Sequence, residues 1–420
     1  SICVHCGLGC NIIPGERYGS LRRVRNRYNQ HINGYFLCDR GRYGYEFVNS
    51  PSRIRNPLIR ARSQPDATAT DQQGALQRLS EILEKDAVLI GIGSPRATLE
   101  GNYALRKLVG KERFFAGVSA RDAQLTGTIL HILQDGSVPA ASQQEAAMSD
   151  AVLVLGEDLN NTAPRLALAL RQSIRNQPLE NAQRLKIDPF IDSAIRQVTL
   201  GQKGPLFLAT TFATRLEDAA TGVIHLAPDD IARLGYQIAH LLDLASPAVA
   251  GLSAESETLA AEIAEQLKNA KRPLIISGAS LGNSAIVEAA ANVARALQMA
   301  GQDARLTYTF PEANSLGLAM LGQGDLEQAL NLVKQTPDAV LIILENDLFR
   351  RADEQLIRQL LDSASSVIVL DTLETPTAAA ADLVLPAATF AEGDGTLVNN
   401  EGRAQRFFQV MNPQPDVQES

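Results

Sequence analysis

Residues 3–10 read Cys3-Val4-His5-Cys6-Gly7-Leu8-Gly9-Cys10, and the only other cysteine of the 420-residue chain is Cys38. The spacing is therefore Cys3-x2-Cys6-x3-Cys10-x27-Cys38. Three thiols within eight residues are too crowded for two ordinary disulfides. No signal peptide opens the sequence, and in that setting a cysteine cluster reads as metal-binding or catalytic. Three thiolates on one tight loop and a distant fourth can reach the four corners of a cubane iron–sulfur cluster. Gly7 and Gly9 let the main chain turn closely there. Structural zinc is the competing reading, but zinc usually takes two well-separated close pairs, and here the fourth cysteine stands alone. On the cubane reading Cys3, Cys6, Cys10 and Cys38 hold one [4Fe–4S] cluster. His5, between two of them, is expected to orient the loop rather than to ligate.

Outward from the cysteines the charge is uneven. Net charge is −8, yet the window Arg17–Arg62 holds eleven arginines against Asp39 and Glu46, so it carries +9 and the remainder −17. Such a window can neutralise an anionic cluster, hold phosphates, face a partner or simply be solvated. Nucleic-acid binding is not expected, because the rest of the chain is acidic and no aromatic stacking platform accompanies the arginines. Apolar residues at 45% and charged residues at 20% are those of an ordinary globular protein. The longest apolar runs, such as Val340–Leu344, are far too short for a membrane span. Ser1 lies so close to the motif that the chain is expected to be a piece of a longer polypeptide.

Residues 1–60 are turn-rich and short of long helical patterns, and Ser63–Asp71 (SQPDATATD) reads as a linker. From residue 72 short apolar runs alternate with helical stretches. Strands are expected at Ala87–Ile92, Arg113–Val118, Ala151–Leu155, Arg184–Ile187, Val223–Leu226, Pro273–Ser277, Arg305–Thr309, Ala339–Leu344 and Ser366–Leu370. Helices are expected at Gln72–Glu84, Pro164–Asn176, Pro228–Leu244, Glu255–Asn269, Ser284–Ala300, Asp325–Gln335 and Asp353–Ser363. Apolar strands alternating with helices mean parallel sheets covered on both faces. Nine strands are many for one sheet, so the expected class is α/β, with two such domains behind the small cysteine module. Leu244–Ser256 (LASPAVAGLSAES) looks like a connection.

Three further motifs carry less. Gly278-Ala279-Ser280-Leu281-Gly282 matches a nucleophile elbow between a strand and a helix, but no histidine follows Ser280, so the hydrolase order fails. Gly91-Ile92-Gly93 follows a strand, but Arg96 stands where the dinucleotide fingerprint needs glycine. Asp394 and Glu401 are paired acids on a Gly-rich loop, expected in a turn or in a contact with the cysteine module.

The segment Cys3–Arg60 resembles the iron–sulfur module of the molybdopterin oxidoreductase superfamily. The resemblance rests on the cysteine spacing, on Cys38-Asp39-Arg40-Gly41-Arg42-Tyr43-Gly44 and on Val48–Arg60 (VNSPSRIRNPLIR). It extends to Ala381–Arg403 (ADLVLPAATFAEGDGTLVNNEGR), with Leu155–Asn160 and Ile187-Asp188-Pro189 where the superfamily turns strand ends toward its pterin. It implies two doubly wound α/β domains, one inserted in the other: a module at 1–60, a domain at 61–145 and 251–420, and an insertion at 146–250. Gly156, Asp158 and Asn160 would line a vestigial pterin crevice, or else cap the next helix.

Two departures bear on activity. No cysteine remains to ligate molybdenum, which leaves only a serine or aspartate open for that role, and Arg40 replaces the lysine that often lies between cluster and pterin. The branch with this pattern is the large iron–sulfur subunit of respiratory NADH:quinone oxidoreductase. That likeness implies an electron-transfer and structural part of the peripheral arm, on the cytoplasmic side of the bacterial inner membrane. Arg40 and Arg42 would lie near the cluster. Partners would be other peripheral-arm subunits, with no molybdenum or pterin, no independent active site, and further clusters only in a part preceding Ser1. The alternatives are a fragment of an active molybdopterin enzyme such as formate dehydrogenase, and a non-redox zinc scaffold.

Overall fold

The computed structural model describes residues 1–60, 66–83, 87–322, 324–414 and 416–418. In chain order its strands are β1 (Ile12–Arg17), β2 (Ser20–Asn26), β3 (Leu58–Ile59), β4 (Thr68–Ala69), β5 (Val88–Ile92), β6 (Phe114–Phe115), β7 (Ala151–Leu155) and β8 (Leu206–Thr210). They continue with β9 (Gly222–His225), β10 (Pro273–Gly278), β11 (Arg305–Thr309), β12 (Ala339–Leu344), β13 (Ser366–Asp371), β14 (Leu383–Pro386), β15 (Gly395–Val398) and β16 (Ala404–Phe407). The chain divides into two compact units, the first of Ser1–Tyr28, Leu37–Gly127 and Glu312–Ser420, the second of Asn29–Phe36 and Thr128–Pro311.

Unit 1 is built on a sheet of order β4-β3-β14-β13-β12-β5-β6. From β14 to β6 neighbours pair in parallel, while β3 and β4 close the edge antiparallel. All six residues of β12, Ala-Val-Leu-Ile-Ile-Leu, are buried, as a strand covered on both faces requires. After β5 the chain runs one way to β6 and then the other way to β12, β13 and β14, so the winding reverses between β5 and β12. The cysteine segment adds the antiparallel hairpin β1–β2. Its turn residues Tyr18 and Gly19 both have positive φ, which suits a two-residue hairpin turn.

Unit 2 has five parallel strands in the order β11-β10-β7-β8-β9, reversing between β7 and β10. Both units are doubly wound, as expected. The expected return to the first domain at residue 251 is not where the structure divides. β10 pairs directly with β7, so residues 251–311 stay with the inserted unit, and the loop at Leu244–Ser256 joins two helices of that unit.

Individual elements also differ. Arg184–Ile187 is not a strand: the helix Asn176–Arg184 ends there with Lys186 at φ 60, and the Ile187 amide bonds the Ala182 carbonyl at 3.0 Å. That is a Schellman closure, with a lysine in the left-handed position usually given to glycine. Arg113–Val118 shortens to β6. Unanticipated were β8 and the helices Leu99–Val109 and Ala120–Asp135. Of the stretch Ser63–Asp71, residues 63–65 lie outside the described residues, as does Glu84, the expected end of a helix that is described to Leu83; Thr68–Ala69 forms β4.

Candidate metal centre

The loop Cys3–Cys10 is closed at its base by backbone bonds: Cys3 N–H to Cys10 O at 2.8 Å and Ile12 N–H to Ser1 O at 3.0 Å. Cys3, Cys6 and Cys10 are buried and Cys38 is half-buried, and all four are free of disulfides. Cys38 precedes the short helix Asp39–Tyr43, and its Sγ accepts from the Gly41 amide at 3.4 Å. The Cys3 sulfur accepts from the His5 amide and the Cys6 sulfur from the Leu8 amide. The main chain thus aims amides at the sulfurs of Cys3, Cys6 and Cys38. Gly41 is needed for the approach of the helix, since a Cβ there would stand 3.3 Å from Cys3 Sγ and 2.7 Å from Leu37 Cδ1.

Burial, and then the neighbouring Cys6 and Cys38 thiols, push the Cys3 thiol well above its ordinary value, with Arg40 acting the other way. Burial raises Cys6 as well, again with Arg40 opposing. Thiols so placed ionise when a cation compensates them, and a coordinating thiol is deprotonated outright. Four thiols free of disulfides, three of them with a backbone amide on sulfur, are a donor set that fits an iron–sulfur cluster. Among the described residues no three His, Cys, Asp or Glu side chains converge on a point that would hold a single ion. His5 packs edge-on against Phe47 with ring centroids 6.3 Å apart, and burial followed by Arg40 and Arg96 lowers its pKa. Arg40 therefore lies within electrostatic reach of the thiols, while Arg42 continues the helix, its amide bonding Cys38 O at 3.0 Å.

The hairpin β15–β16 reaches this loop from the other end of the chain. The Asn400 amide donates to Gly7 O at 2.7 Å and Gln405 Nε2 to Gly9 O at 3.0 Å. Gly9 has φ +67, and the space a Cβ would take is filled by Gln405 Oε1. Asp394 and Glu401, expected in a turn or in a contact with the cysteine module, flank this hairpin: Asp394 accepts from the Gln409 amide at 2.7 Å, and Glu401, in the turn, pairs with Arg403 at 3.5 Å. Arg53 ties the segment to the sheet through a buried 2.9 Å pair with Glu392 and a 3.0 Å bond to Thr372 O.

Beside the loop, where the strand order of unit 1 reverses, lies a cavity of about 660 Å³ touched by Val4, His5, Arg96, Glu345, Asp347 and Arg351. Such reversals are the usual ligand positions of open α/β sheets. Here Arg351 is held by Glu312 at 2.8 Å and by Asn346 at 2.9 Å. The glycines of Gly91-Ile92-Gly93 serve packing: a Cβ at Gly91 would meet Leu105 at 3.0 Å, and one at Gly93 would meet Asn102 at 2.6 Å.

In unit 2 the corresponding reversal is occupied by protein. Glu157 is 2% exposed and accepts from the Ser280 amide at 3.0 Å and the Ser280 hydroxyl at 2.7 Å. A Cβ on Gly156 would meet Leu281 at 3.1 Å. Asp158 caps the following helix, accepting from the Asn160 amide at 3.1 Å. Glu157, held by Ser280, and Leu281 occupy this end of unit 2, and an acid beside an apolar side chain does not fit a pterin's phosphate. Ser280 of the elbow motif spends its hydroxyl on Glu157, and none of the five histidines follows it in the chain.

Residues 1–50 match the model of the molybdopterin oxidoreductase Fe4S4 domain, and residues 53–419 match that of molybdopterin oxidoreductase. The chain is 48% identical over 414 residues to the G subunit of NADH-quinone oxidoreductase from Pseudomonas fluorescens, covering 99% of this chain and 45% of that protein. It is 44% identical over 413 residues to the protein of the same name from Escherichia coli K12, covering 98% and 45%. The chain thus spans under half the length of these curated relatives. Among solved structures, acetylene hydratase from Pelobacter acetylenicus superposes with a TM-score of 0.69 at 13% identity, over 99% of this chain and 67% of that one. At that identity the likeness concerns the fold alone.

Proposed function

The chain belongs to the molybdopterin oxidoreductase family, and from that premise we propose that it is the electron-relay and scaffolding part of a subunit of NADH-quinone oxidoreductase, with one [4Fe–4S] cluster on Cys3, Cys6, Cys10 and Cys38. The carrying observation is the set of four undisulfided thiols with backbone amides on the Cys3, Cys6 and Cys38 sulfurs. A bound cluster supplies one-electron storage and transfer. The chain's residues supply the rest. Amides of His5, Leu8 and Gly41 stabilise negative charge on sulfur. Arg40 favours the more negative, reduced state and so acts to raise the reduction potential. Burial of three of the cysteines keeps water from the ligands. Molybdenum and pterin have no part in this reading, because no further cysteine is present and Glu157 stands at the unit 2 reversal.

Partners are other subunits of the same complex, and the location is peripheral, on the cytoplasmic side of the inner membrane. Among the described residues no helix is long and apolar enough to cross a membrane.

Anaerobic purification followed by metal analysis and EPR tests the assignment. About four iron and four sulfide per chain, with an EPR signal on reduction, are expected. Serine at any of the four cysteines should abolish that signal. One zinc and no iron would establish the zinc scaffold. Stoichiometric molybdenum or tungsten with formate turnover would establish an active molybdopterin enzyme.

A further inference from the structure

Unit 2 carries a surface that its own core does not use. Within sixteen residues Leu185, Phe190, Ile191, Val198 and Leu200 are all exposed, Phe190 at 93% and Leu200 at 88%. Isolated exposed apolar residues are ordinary, but five within one short stretch of chain are more than that, and exposed apolar surface of this extent marks an interaction site. Leu200 is stranger still. It caps the helix Asp192–Thr199 at φ 52, a left-handed position that costs a leucine and suits glycine. Its side chain stands in solvent, so the unit's own packing gains almost nothing from it.

The same helix walls a cavity of about 440 Å³. Its apolar lining includes Ile174, Leu179 and Ile195, and its charged lining is Arg171, Arg175, Arg196 and Lys203 against Asp192 and Asp218. Two positive charges are in excess, in a chain whose net charge is −8. Asp192 is shared by Arg175 at 2.9 Å and Arg196 at 2.8 Å, with the two arginine side chains 57% and 79% exposed. Solvated pairs of this kind are weak, so an incoming carboxylate displaces one at little cost.

We propose that this surface docks an acidic segment of a neighbouring subunit, with an aliphatic or aromatic anchor against Phe190 and Leu200 and its carboxylates on Arg175 and Arg196. The proposal rests on the reading of the chain as part of a multisubunit complex. Charge complementarity selects the occupant. A second copy would place this cationic surface against itself in a two-fold contact, which is repulsive.

The test is made in the assembled complex, expressed from full-length subunits in its own host. Two double variants are compared with wild type, F190S/L200S and R175E/R196E, together with the single variant Leu200→Gly. Readouts are the fraction of the chain in the high-mass complex on native gels, iron per chain, and thermal unfolding of the isolated chain. Each double variant should lose assembled complex at least tenfold while iron per chain stays at the wild-type level. Leu200→Gly relieves the left-handed strain, so it should raise the unfolding temperature yet lower assembly, a pairing that misfolding cannot produce. Unchanged assembly in the variants overturns the proposal. So does wild-type assembly in F190S/L200S combined with loss of co-sedimentation with phosphatidylglycerol vesicles, which assigns the surface to lipid, or with loss of a concentration-dependent dimer, which assigns it to a second copy. Absence of iron from wild type would defeat the cluster reading and leave the assembly readout to decide this one.

Discussion

Glu157 is a buried carboxyl group at the end of β7, where the strand order of unit 2 reverses. It is 2% exposed, with Ser280 donating to it twice, from its amide and its hydroxyl. Burial raises its pKa above the ordinary carboxylate value. Below that ordinary value the group is protonated in both states and carries no penalty. As pH rises, the unfolded chain releases the proton first and the folded chain holds it, so stability falls until the raised folded value is passed. Glu157→Gln removes this dependence. The variant should match wild type at acid pH and exceed it near neutrality by on the order of 1 kcal/mol, read from urea midpoints across that range. A wild-type advantage that grows with pH would show that the carboxylate is charged and satisfied. Arg53 and Glu392 are the contrasting case, a buried pair in which each charge is compensated. Removing one partner there strands the other.

At the scale of elements, the hairpin β15–β16 is a clip over the cysteine loop, and Gly9 is where it presses. An alanine at position 9 must adopt φ +67 and displace Gln405. Gly9→Ala should therefore cost about 2 kcal/mol or more, whereas Gln405→Ala, which loses one bond, should cost about 1 kcal/mol. The double variant should be clearly more stable than the sum of the two predicts, since removing Gln405 frees the space. Chelator-driven iron loss should follow the same order, and strict additivity would mean that Gln405 does not bear on Gly9. The cysteine loop stands out in the sequence because its spacing is local. Its clip was not, because Gln405 meets Gly9 across 396 positions and nothing in a Gln or an Asn announces such a partner. Long apolar strands such as β12 were legible for the same local reason. β8, Leu-Phe-Leu-Ala-Thr, was missed because five apolar-rich residues carry no periodicity that separates strand from helix.

The whole molecule is two doubly wound units, one inserted in the chain of the other, and this was legible only in part. Strand–helix alternation announces a parallel sheet, but strand order is a long-range property. The loop at Leu244–Ser256 looks like a boundary although the next strand, β10, returns to the same sheet and pairs with its central strand, β7. Each unit has its own sheet and its own buried strands. Unfolding should then depart from a single two-state transition, with calorimetry resolving two. The cysteine loop, its hairpin clip and the Arg53–Glu392 tie all belong to unit 1. Removing iron should lower only the transition of that unit, because binding stabilises the unit that holds the ligand. Hydrogen exchange assigns the transitions independently of calorimetry. After iron removal, amides of residues 2–26 and of β15–β16 should exchange faster, while those of β7, β8 and β10 keep their protection. Equal loss of protection in both sets would mean that the two units unfold as one, and that the cysteine module stabilises the whole chain rather than the sheet it is built onto.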